Sequence, residues 1–386
     1  MKVPFFAAKE QHQKILPELM EAVESVLSSG CYILGEEVEK FEEMFSQYHG
    51  AKHAIAVNSG TDALILTMKA LGIGPGDEVI TTGNTFVTSV SSIVLVGAKP
   101  VLVDVGSDDN VDANLIEQHL TSKTKAILPV HWTGRPCDME AILNIADRHK
   151  LFVIEDCAQA IAARYAGKLV GTFSTAGCFS LHPYKTLNAC GDGGIVITNN
   201  ADLAEKICLL RHNGLSMDGV CHYWSSNSRL DPLQAKILQV KFKYLKAWTE
   251  SRVRIAEYYY KNLCDVPEIE LPQMSDPTFY SVYHTYIIKA LDRDELKLYL
   301  DKKGIQTRIN YETPIHKQPV ACNFLQASID GLPRLENIVT KVLSLPIYPE
   351  LTKEQLDHVI LVVKEFYRLR TFNENAIGAA SKTTVV

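Results

Sequence analysis

The chain has 386 residues, of which 46% are hydrophobic and 22% are charged, and its formal net charge is −6. This composition excludes a disordered chain, which has fewer apolar residues and a larger net charge, and it disfavours nucleic-acid binding, which usually requires a basic face. No apolar run approaches the roughly 20 residues that a membrane-spanning helix needs, and the length allows one large domain or two of ordinary size.

The first half of the chain alternates apolar runs with helix-like segments. Strands are predicted at residues 54–57, 78–82, 100–105, 125–131, 151–156, 178–181 and 194–198. Helices are predicted between them, at 87–96, at 138–150 and after Gly60, where Leu64, Met68 and Leu71 share one face. This alternation predicts an α/β fold with a mostly parallel sheet that is covered by helices.

After about residue 200 the pattern becomes helical. A long run at 233–254 contains no Gly or Pro, and residues 255–263 continue it. This run is expected to lead into a smaller carboxy-terminal domain. The elements predicted there are strands at 283–289 and 305–309 and helices at 293–303 and 353–369.

The predicted organisation is therefore a large domain at 1–245 and a small domain at 246–370. The remaining segment, 371–386, is rich in small and polar residues and has no periodicity. It is expected to be a mobile tail.

The cysteines argue against a metal or redox site. There are nine, an odd number, and no pair has the Cys-x-x-Cys spacing of a zinc or redox centre. Free thiols of this kind suit a reducing compartment. The amino-terminal apolar run, which is broken by Pro4, is too short for a secretory signal. The sequence therefore predicts a cytoplasmic protein without a metal site.

Two glycine-bearing segments are candidates for binding a phosphate. The segment 72–76, Gly-x-Gly-x-Gly, follows a helix rather than a strand, so it is interpreted as a helix-ending turn and not as a dinucleotide fingerprint. The segment 58–61, Asn-Ser-Gly-Thr, follows a strand and opens a helix, where free N–H groups and the helix dipole favour an anion. A simple helix cap is the other interpretation of this segment.

Two charged residues stand just past predicted strands. Asp156 ends an apolar strand, and ligands of open α/β sheets bind at that end of the strands. A carboxylate there can pair with a cationic ring nitrogen or can cap a helix. Lys185 lies in a turn between a strand and the glycine-rich stretch 191–194. A lysine in that position can be a solvated surface group or a nucleophile that forms a Schiff base.

Further motifs follow in a fixed order from about Val3 to Leu369. They lie at 32–35, 38–45, 59–64, 84–87, 97–104, 155–160, 179–194, 211–214, 227–229, 314–319 and 345–346. In this order the chain resembles the DegT/DnrJ/EryC1/StrS family of sugar aminotransferases, which use pyridoxal phosphate (PLP). The resemblance implies the aspartate aminotransferase-like fold, with a three-layer αβα large domain and a smaller α+β domain.

The resemblance also implies roles for individual residues. Lys185 matches the lysine that bonds to PLP and later moves the proton, and Asp156 matches the carboxylate that keeps the pyridinium nitrogen protonated. The other implied cofactor contacts are the phosphate cradle of Gly60, Thr61 and Ser180, the stacking ring of Phe86, Gln159 near the PLP hydroxyl, and Asn227 of a neighbouring subunit. That last contact implies a homodimer with shared active sites.

The chain departs from the commonest family pattern near the expected substrate. His182 stands where the family often has Tyr, and Tyr184 stands where Thr or Gly is usual. The order Arg-His-Asn at 211–213 also inverts a more frequent one. The candidate substrate contacts are His182 and Tyr184 of the lysine turn, together with Tyr311 and His316.

The predicted function is transfer of an amino group from L-glutamate to a keto-deoxysugar nucleotide for amino-sugar biosynthesis. Gln159 and the sequence Gly-Asp-Gly-Gly at 191–194 are more similar to family members that act on 3-ketosugars, whereas members that act at C4 often carry Glu-Gly-Gly there. A C4-specific aminotransferase remains an alternative, as does a non-catalytic regulator, although a regulator predicts loss of Lys185 or Asp156. An NAD-dependent sugar epimerase or dehydratase predicts a glycine fingerprint after the first strand, which the chain lacks.

Overall fold

The computed structural model describes residues 1–323 and 331–382. Its α-helices are α1 (Ala8–Ser29), α2 (Glu36–His49), α3 (Gly60–Ala70), α4 (Val87–Leu95), α5 (Ala113–Ile116), α6 (Met139–His149), α7 (Ala201–Arg211), α8 (Pro232–Phe242), α9 (Leu245–Leu263), α10 (Arg293–Lys302), α11 (Pro333–Val339) and α12 (Lys353–Lys382). Its β-strands are β1 (His53–Val57), β2 (Glu78–Thr82), β3 (Lys99–Val103), β4 (Thr124–Leu128), β5 (Phe152–Asp156), β6 (Arg164–Tyr165), β7 (Lys168–Leu169), β8 (Ala176–Ser180), β9 (Gly194–Thr198), β10 (Ile269–Glu270), β11 (Phe279–Tyr280), β12 (Tyr286–Ala290) and β13 (Val342–Leu345). Of the helices in these two ranges, none is both long and apolar enough to cross a membrane.

A seven-stranded sheet forms the centre of the molecule, in the order β1-β9-β8-β5-β4-β2-β3. Strands β8, β5, β4, β2 and β3 are mutually parallel, and β1 runs in their direction because it and β8 are both antiparallel to β9. Every residue of β2 and β9 is buried, as expected of a sheet covered on both faces. The predicted α/β fold with a mostly parallel sheet is confirmed.

Helices cover this sheet from both sides. On one face, Leu66 of α3, Ile93 of α4 and Ile207 of α7 are fully buried in one apolar core. On the other face, Phe41 of α2 and Leu238 of α8 are fully buried in a second core. In α2 and α7 the buried residues recur at helical spacing, so each of these two helices buries one stripe against the sheet.

Local signals set the ends of helix α3, which borders the site described below. Ser59 caps the helix, since its hydroxyl accepts a hydrogen bond from the N–H of Asp62 at 3.1 Å. The chain leaves the helix through Gly72, whose φ of +75° is a conformation that glycine adopts without strain. The helix-ending turn predicted at 72–76 is confirmed.

A separate core lies in the second part of the chain. Strands β10, β12 and β13 form an antiparallel sheet, and Tyr286 of β12 and Leu300 of α10 are fully buried in its core. Val3 and Ala7, from the start of the chain, belong to the same core. A small third sheet, β11-β6-β7, joins the segment after β5 to the segment before β12.

The prediction of one continuous helix at 233–254 is wrong. It is interrupted at Lys243 and Tyr244, between α8 and α9. Tyr244 stacks on Trp248, and its hydroxyl donates a hydrogen bond to Glu18 of α1. Packing between distant segments therefore accompanies a break that no Gly or Pro marks in the sequence.

The strand predicted at 305–309 is also wrong. Ile305 pairs with Val3, and Arg308 pairs with Ser344, as isolated bridges. Two different segments share this stretch, so no continuous ladder forms. Helix α12 continues to Lys382 instead of ending at the predicted residue 369. Residues 383–386 lie outside the described part of the chain, and the mobility of the tail stays a prediction.

Candidate active site

A cavity of about 420 Å³ opens at the carboxyl ends of the parallel strands. Residues that end or follow β1, β2, β5 and β8 line the cavity, and residues from the second part of the chain complete its wall, among them His284, Thr285, Arg308, Asn310 and Tyr311. The predicted site residues that line it are Gly60, Thr61, Phe86, Asp156, Gln159, Ser180, His182, Tyr184, Lys185 and Tyr311. Ligands of open α/β sheets bind at this edge, so the cavity is the candidate active site.

Asp156 is the last residue of β5 and is 4% exposed. Its Oδ1 accepts a hydrogen bond from the N–H of Ala158 at 3.0 Å, and its Oδ2 accepts one from the hydroxyl of Ser89 at 2.7 Å. The Ser89 hydroxyl in turn lies 2.7 Å from the hydroxyl of Thr85. These contacts fix the orientation of a carboxylate at the cavity wall.

Lys185 lies in the turn after β8 and is half-buried at the cavity wall. Burial lowers the pKa of its ammonium to about 8, and the negative charge of Asp156 opposes that decrease. A sizeable fraction of Lys185 is therefore a neutral amine near neutral pH. Only the neutral amine can act as a nucleophile or a base.

A buried lysine anchors the turn that carries Lys185. The side-chain amide of Asn188 donates a hydrogen bond to the carbonyl of Lys185 at 3.1 Å. Lys241 has no exposed surface, and its Nζ donates to the carbonyl and the side-chain oxygen of Asn188 at 2.9 and 2.8 Å. The same Nζ lies 2.9 Å from Nε2 of His12, and burial lowers the pKa of Lys241. The position of the Lys185 turn thus depends on a polar network beneath the surface.

The amino-terminal end of α3 approaches the end of β8 closely. A Cβ atom at Gly60 would lie 2.7 Å from the Cβ of Ser180, and one at Gly194 would clash with the carbonyl of Ser59. Glycine at both positions keeps this close approach possible. The helix dipole favours an anion there, and the hydroxyls of Thr61 and Ser180 lie on the same cavity wall. The arrangement suits a phosphate group.

Aromatic and amide groups line the rest of the predicted cofactor wall. Gln159 is 8% exposed, and its Oε1 accepts a hydrogen bond from the N–H of Thr133 at 2.8 Å. Phe86 is 47% exposed, with its ring centroid 5.6 Å from that of Tyr311. Burial raises the pKa of Tyr311 to about 12, so its phenol stays neutral at physiological pH. The exposed ring of Phe86 can receive a flat ligand.

Two predicted site residues lie outside this cavity in the single chain. Nε2 of His316 is 2.9 Å from Oε1 of Glu336. Asn227 is exposed, and its Oδ1 accepts a hydrogen bond from the N–H of Arg229 at 3.4 Å. The structure therefore brings ten of the predicted residues together at the cavity and leaves these two apart.

The sequence interpretation did not identify several residues of the cavity wall. Arg252, which is 3% exposed, donates from Nη1 to the carbonyls of Tyr283, His284 and Ile347 at 3.4, 3.2 and 2.9 Å. Burial lowers the pKa of Arg252 to about 10. Burial, followed by the charges of Lys185 and Arg252, holds the pKa of His284 well below its ordinary value. These residues reach the cavity through the fold, and no local motif marks them.

A buried group outside the cavity has the composition of a metal site. Ligand atoms of His131, Glu155 and Cys157 lie within 4.8 Å of one another. The N–H of Cys137 donates to Nδ1 of His131 at 3.0 Å, so Nε2 carries the proton that faces Glu155 at 3.1 Å. The carboxylate of Glu155 also accepts from two backbone N–H groups and from the hydroxyl of Ser174. These hydrogen bonds describe a satisfied structural network.

Comparison with known proteins agrees with this geometry. Residues 13–364 match the model of the DegT/DnrJ/EryC1/StrS aminotransferase family. The chain is 44% identical over 370 residues to a pleiotropic regulatory protein of Geobacillus stearothermophilus, covering 95% of this chain and 99% of that protein. It is 40% identical over 367 residues to the dTDP-3-amino-3,4,6-trideoxy-α-D-glucose transaminase of Streptomyces venezuelae, covering 95% and 96%.

The fold also matches a solved structure. The crystal structure of NtdA from Bacillus subtilis with bound cofactor PMP has a TM-score of 0.88 to this chain at 32% sequence identity. The match covers 94% of this chain and 85% of that one.

Proposed function

Because the chain belongs to the DegT/DnrJ/EryC1/StrS aminotransferase family, whose members use PLP, we propose that it transfers an amino group from L-glutamate to the 3-keto group of a nucleotide-linked deoxysugar. The product is an amino sugar for biosynthesis. The observation that carries the proposal is the meeting of Lys185 and Asp156 at one cavity, beside the anion site at Gly60.

The residues of the cavity fit PLP. The amino terminus of α3 at Gly60 lines the cavity without a side chain, and a fixed carboxylate and a partly neutral lysine line the same cavity. The residues that would hold the cofactor are Gly60, Thr61 and Ser180 at the phosphate, Phe86 at the ring face, Gln159 at the ring hydroxyl and Asp156 at the ring nitrogen. When bound, PLP supplies a carbonyl carbon for the amino group and an electron-withdrawing ring.

The chain's own groups provide the proton transfers. Lys185, partly neutral because of burial, would take the proton from the carbon that carries the amino group and deliver it to the cofactor within the same half-reaction, and it would carry out the reverse transfer toward the sugar carbon in the second half-reaction. Asp156 would keep the ring nitrogen positively charged, and Ser89 and the N–H of Ala158 would hold its carboxylate in place. Tyr311 contributes a neutral hydroxyl to the opposite wall.

A homodimer would complete the phosphate site. Asn227 lies on the surface of the chain and outside its own cavity, which suits a contact with the cofactor of a second copy. In that arrangement each active site would contain residues of both subunits, and a monomer would bind the cofactor less tightly.

The preference for C3 rests on the glycine-rich stretch after the lysine turn. Asp192 lines the cavity, so the residue that stands in place of Glu in the Glu-Gly-Gly pattern of C4 enzymes would be near the substrate. The name of the Streptomyces venezuelae relative describes a 3-amino sugar, which supports the same position. An enzyme acting at C4 is the alternative.

The donor half-reaction tests the catalytic proposal. Wild-type protein with PLP and L-glutamate should form 2-oxoglutarate, and Lys185→Ala should lose at least about 10³-fold in rate, as expected for removal of a group that acts directly in proton transfer. Lys40→Ala, on the exposed surface of α2, is the matched control and should retain the wild-type rate. A Lys185→Ala protein as active as wild type would refute the assignment.

A second experiment tests the sugar. A panel of 3-keto and 4-keto nucleotide sugars, with the amino product identified by NMR, should give a 3-amino sugar. Exclusive amination of the 4-keto compounds would favour the C4 alternative.

The name of the Geobacillus stearothermophilus relative makes a regulatory protein the second candidate. A non-catalytic regulator would form no 2-oxoglutarate and would not convert any member of the panel. The presence of both Lys185 and Asp156 at the cavity favours the enzyme.

A further inference from the structure

Arg308 stands at the mouth of the cavity on a fixed piece of backbone. Its N–H donates to the carbonyl of Ser344 at 3.3 Å, and its carbonyl accepts from the N–H of Ser344 at 2.7 Å. The side chain is exposed and forms part of the cavity wall. The backbone contacts therefore hold an exposed cation at the entrance of the site.

Two aromatic rings hold the guanidinium group. The central carbon of the Arg308 guanidinium lies 4.9 Å from the ring centroid of Phe5 and 5.1 Å from that of Tyr184. Phe5 is itself fixed, since its N–H donates to the side-chain oxygen of Gln306 at 3.1 Å. Cation–π contacts orient the guanidinium without using its N–H donors.

The side-chain donors of Arg308 have no protein acceptor among residues 1–321 and 331–370, whose side chains the structure describes. Within those ranges no carboxylate lies within 4 Å of its guanidinium nitrogens, and its side chain makes no hydrogen bond. Arg252, the other arginine of the cavity wall, is different because it is buried and donates to three carbonyl oxygens. The guanidinium N–H groups of Arg308 can therefore donate hydrogen bonds to a ligand in the cavity.

The substrate of the proposed reaction carries a diphosphate, which would lie near Arg308 when the sugar is bound. A nucleotide-linked sugar carries two phosphates between the reacting sugar and the base, and guanidinium is the side chain that best matches phosphate oxygens in two-point geometry. Lys185 is more buried than Arg308, and both line the cavity, so a sugar that reaches Lys185 would place its diphosphate toward the more exposed Arg308.

Resting on the function proposed above, we infer that Arg308, held between Phe5 and Tyr184, binds the diphosphate of the nucleotide sugar and sets the requirement for a nucleoside diphosphate. Glutamate, whose carboxylates could use the same donors, is the competing source of the anion. Phe5 and Tyr184 act as positioning residues in this inference, since their rings contact the guanidinium of Arg308.

The test compares wild type, Arg308→Gln and Arg308→Lys in the PLP-bound protein. Competitive inhibition is measured with UDP and dTDP, with the corresponding monophosphates, and with the free nucleosides. Wild type should prefer the better diphosphate over its nucleoside by at least about tenfold, since a charge-assisted pair of hydrogen bonds corresponds to that factor or more. Arg308→Gln should lose this preference, and Arg308→Lys should retain part of it.

Kinetics separate the two anions. In Arg308→Gln the KM for the ketosugar nucleotide should rise at least about tenfold while kcat stays within about threefold of wild type, because a loss of ground-state binding raises KM alone. The half-reaction with glutamate should keep the rate constant and the dependence on glutamate concentration of wild type. A loss confined to glutamate, or diphosphate inhibition equal to wild type, would overturn the inference. Arg148→Gln, an exposed arginine paired with Glu117 away from the cavity, is the control.

Failure of the proposed function has a different signature. If wild type converts no ketosugar nucleotide at all, the function is wrong whatever Arg308 does. If wild type converts the sugar and both Arg308 variants bind nucleotides as wild type does, only the assignment of Arg308 is wrong. Retention of the cofactor absorbance in each variant shows that the site has folded, and Arg308→Lys provides the result if Arg308→Gln loses it.

Discussion

The lowered pKa of Lys185 gives a prediction that can be measured without substrate. In the cofactor-free protein the amine should titrate with a midpoint at about pH 8 instead of 10.5, because burial penalises its charged form. At pH 7 a group with a pKa of about 8 is about 9% neutral, against about 0.03% for an ordinary lysine. At pH 7 the neutral fraction of Lys185 is therefore about 300-fold larger than that of an ordinary lysine, and its rate of reaction with an amine-selective reagent should be larger by about the same factor.

The sign of a second effect follows from Asp156. The negative charge of Asp156 raises the pKa of Lys185 and so opposes the effect of burial. Asp156→Asn removes that charge while keeping a similar shape, so the midpoint should move below that of wild type. Ser89→Ala removes a hydrogen bond to the carboxylate but keeps its charge, so its midpoint should stay nearer that of wild type.

The assay is pulsed labelling with acetic anhydride between pH 6 and 11, with modification of each lysine quantified by mass spectrometry. Lys40 serves as an internal control because its ion pair with Glu36 raises its pKa, so it should label only at the alkaline end. A Lys185 midpoint at or above that of Lys40, or an upward shift in Asp156→Asn, would refute the electrostatic account of the site.

Other predictions concern the glycine at the start of α3, the anchor of the lysine turn and the core of the β10-β12-β13 sheet. Gly60→Ala should weaken PLP binding at least tenfold in a fluorescence titration, since its Cβ would lie 2.7 Å from a neighbouring side chain, whereas Gly74→Ala, with 3.5 Å to its nearest neighbour, should bind normally. Lys241→Met should lower the free energy of unfolding in urea by about 1–3 kcal/mol, because it leaves buried acceptors unpaired; a stability equal to wild type would contradict that role. Leu300→Ala, at a fully buried site, should cost about 2–5 kcal/mol by the same method, and Leu298→Ala, at a site 60% exposed, should cost less than about 0.5 kcal/mol.

The sequence allowed the sheet and the residues at the carboxyl ends of its strands to be predicted because both depend on local patterns. The buried strand that ends in Asp156 and the capped helix that begins at Gly60 are contiguous segments, and the chain direction of a parallel sheet brings their ends to one edge. Periodicity and turn residues are enough to recognise such units.

The remaining part of the site depends on contacts between distant segments. Arg252 and Arg308 reach the cavity from the second half of the chain, and no spacing rule connects them to Asp156. The helices α1 and α2 also escaped prediction, although Phe41 and Phe45 of α2 are buried at helical spacing. The break between α8 and α9 was missed for a similar reason. It coincides with the contact of Tyr244 with α1, and the helix propensities of single residues contain no information about such a contact.

Residues 3 and 7 pack in one core with residues 343 and 359. This packing sets the order in which parts of the fold can form during synthesis. Val3 and Ala7 are synthesised before Leu343 and Val359, which belong to the same core. A growing chain can assemble the central sheet early, since its strands lie between residues 53 and 198, while the segment with Phe5 waits for its partners. The entrance of the cavity, where Phe5 contacts Arg308 and Arg308 pairs with Ser344, is therefore completed only after residue 344 has been synthesised. A chain that has not reached this residue has a sheet and a lysine but no finished binding site.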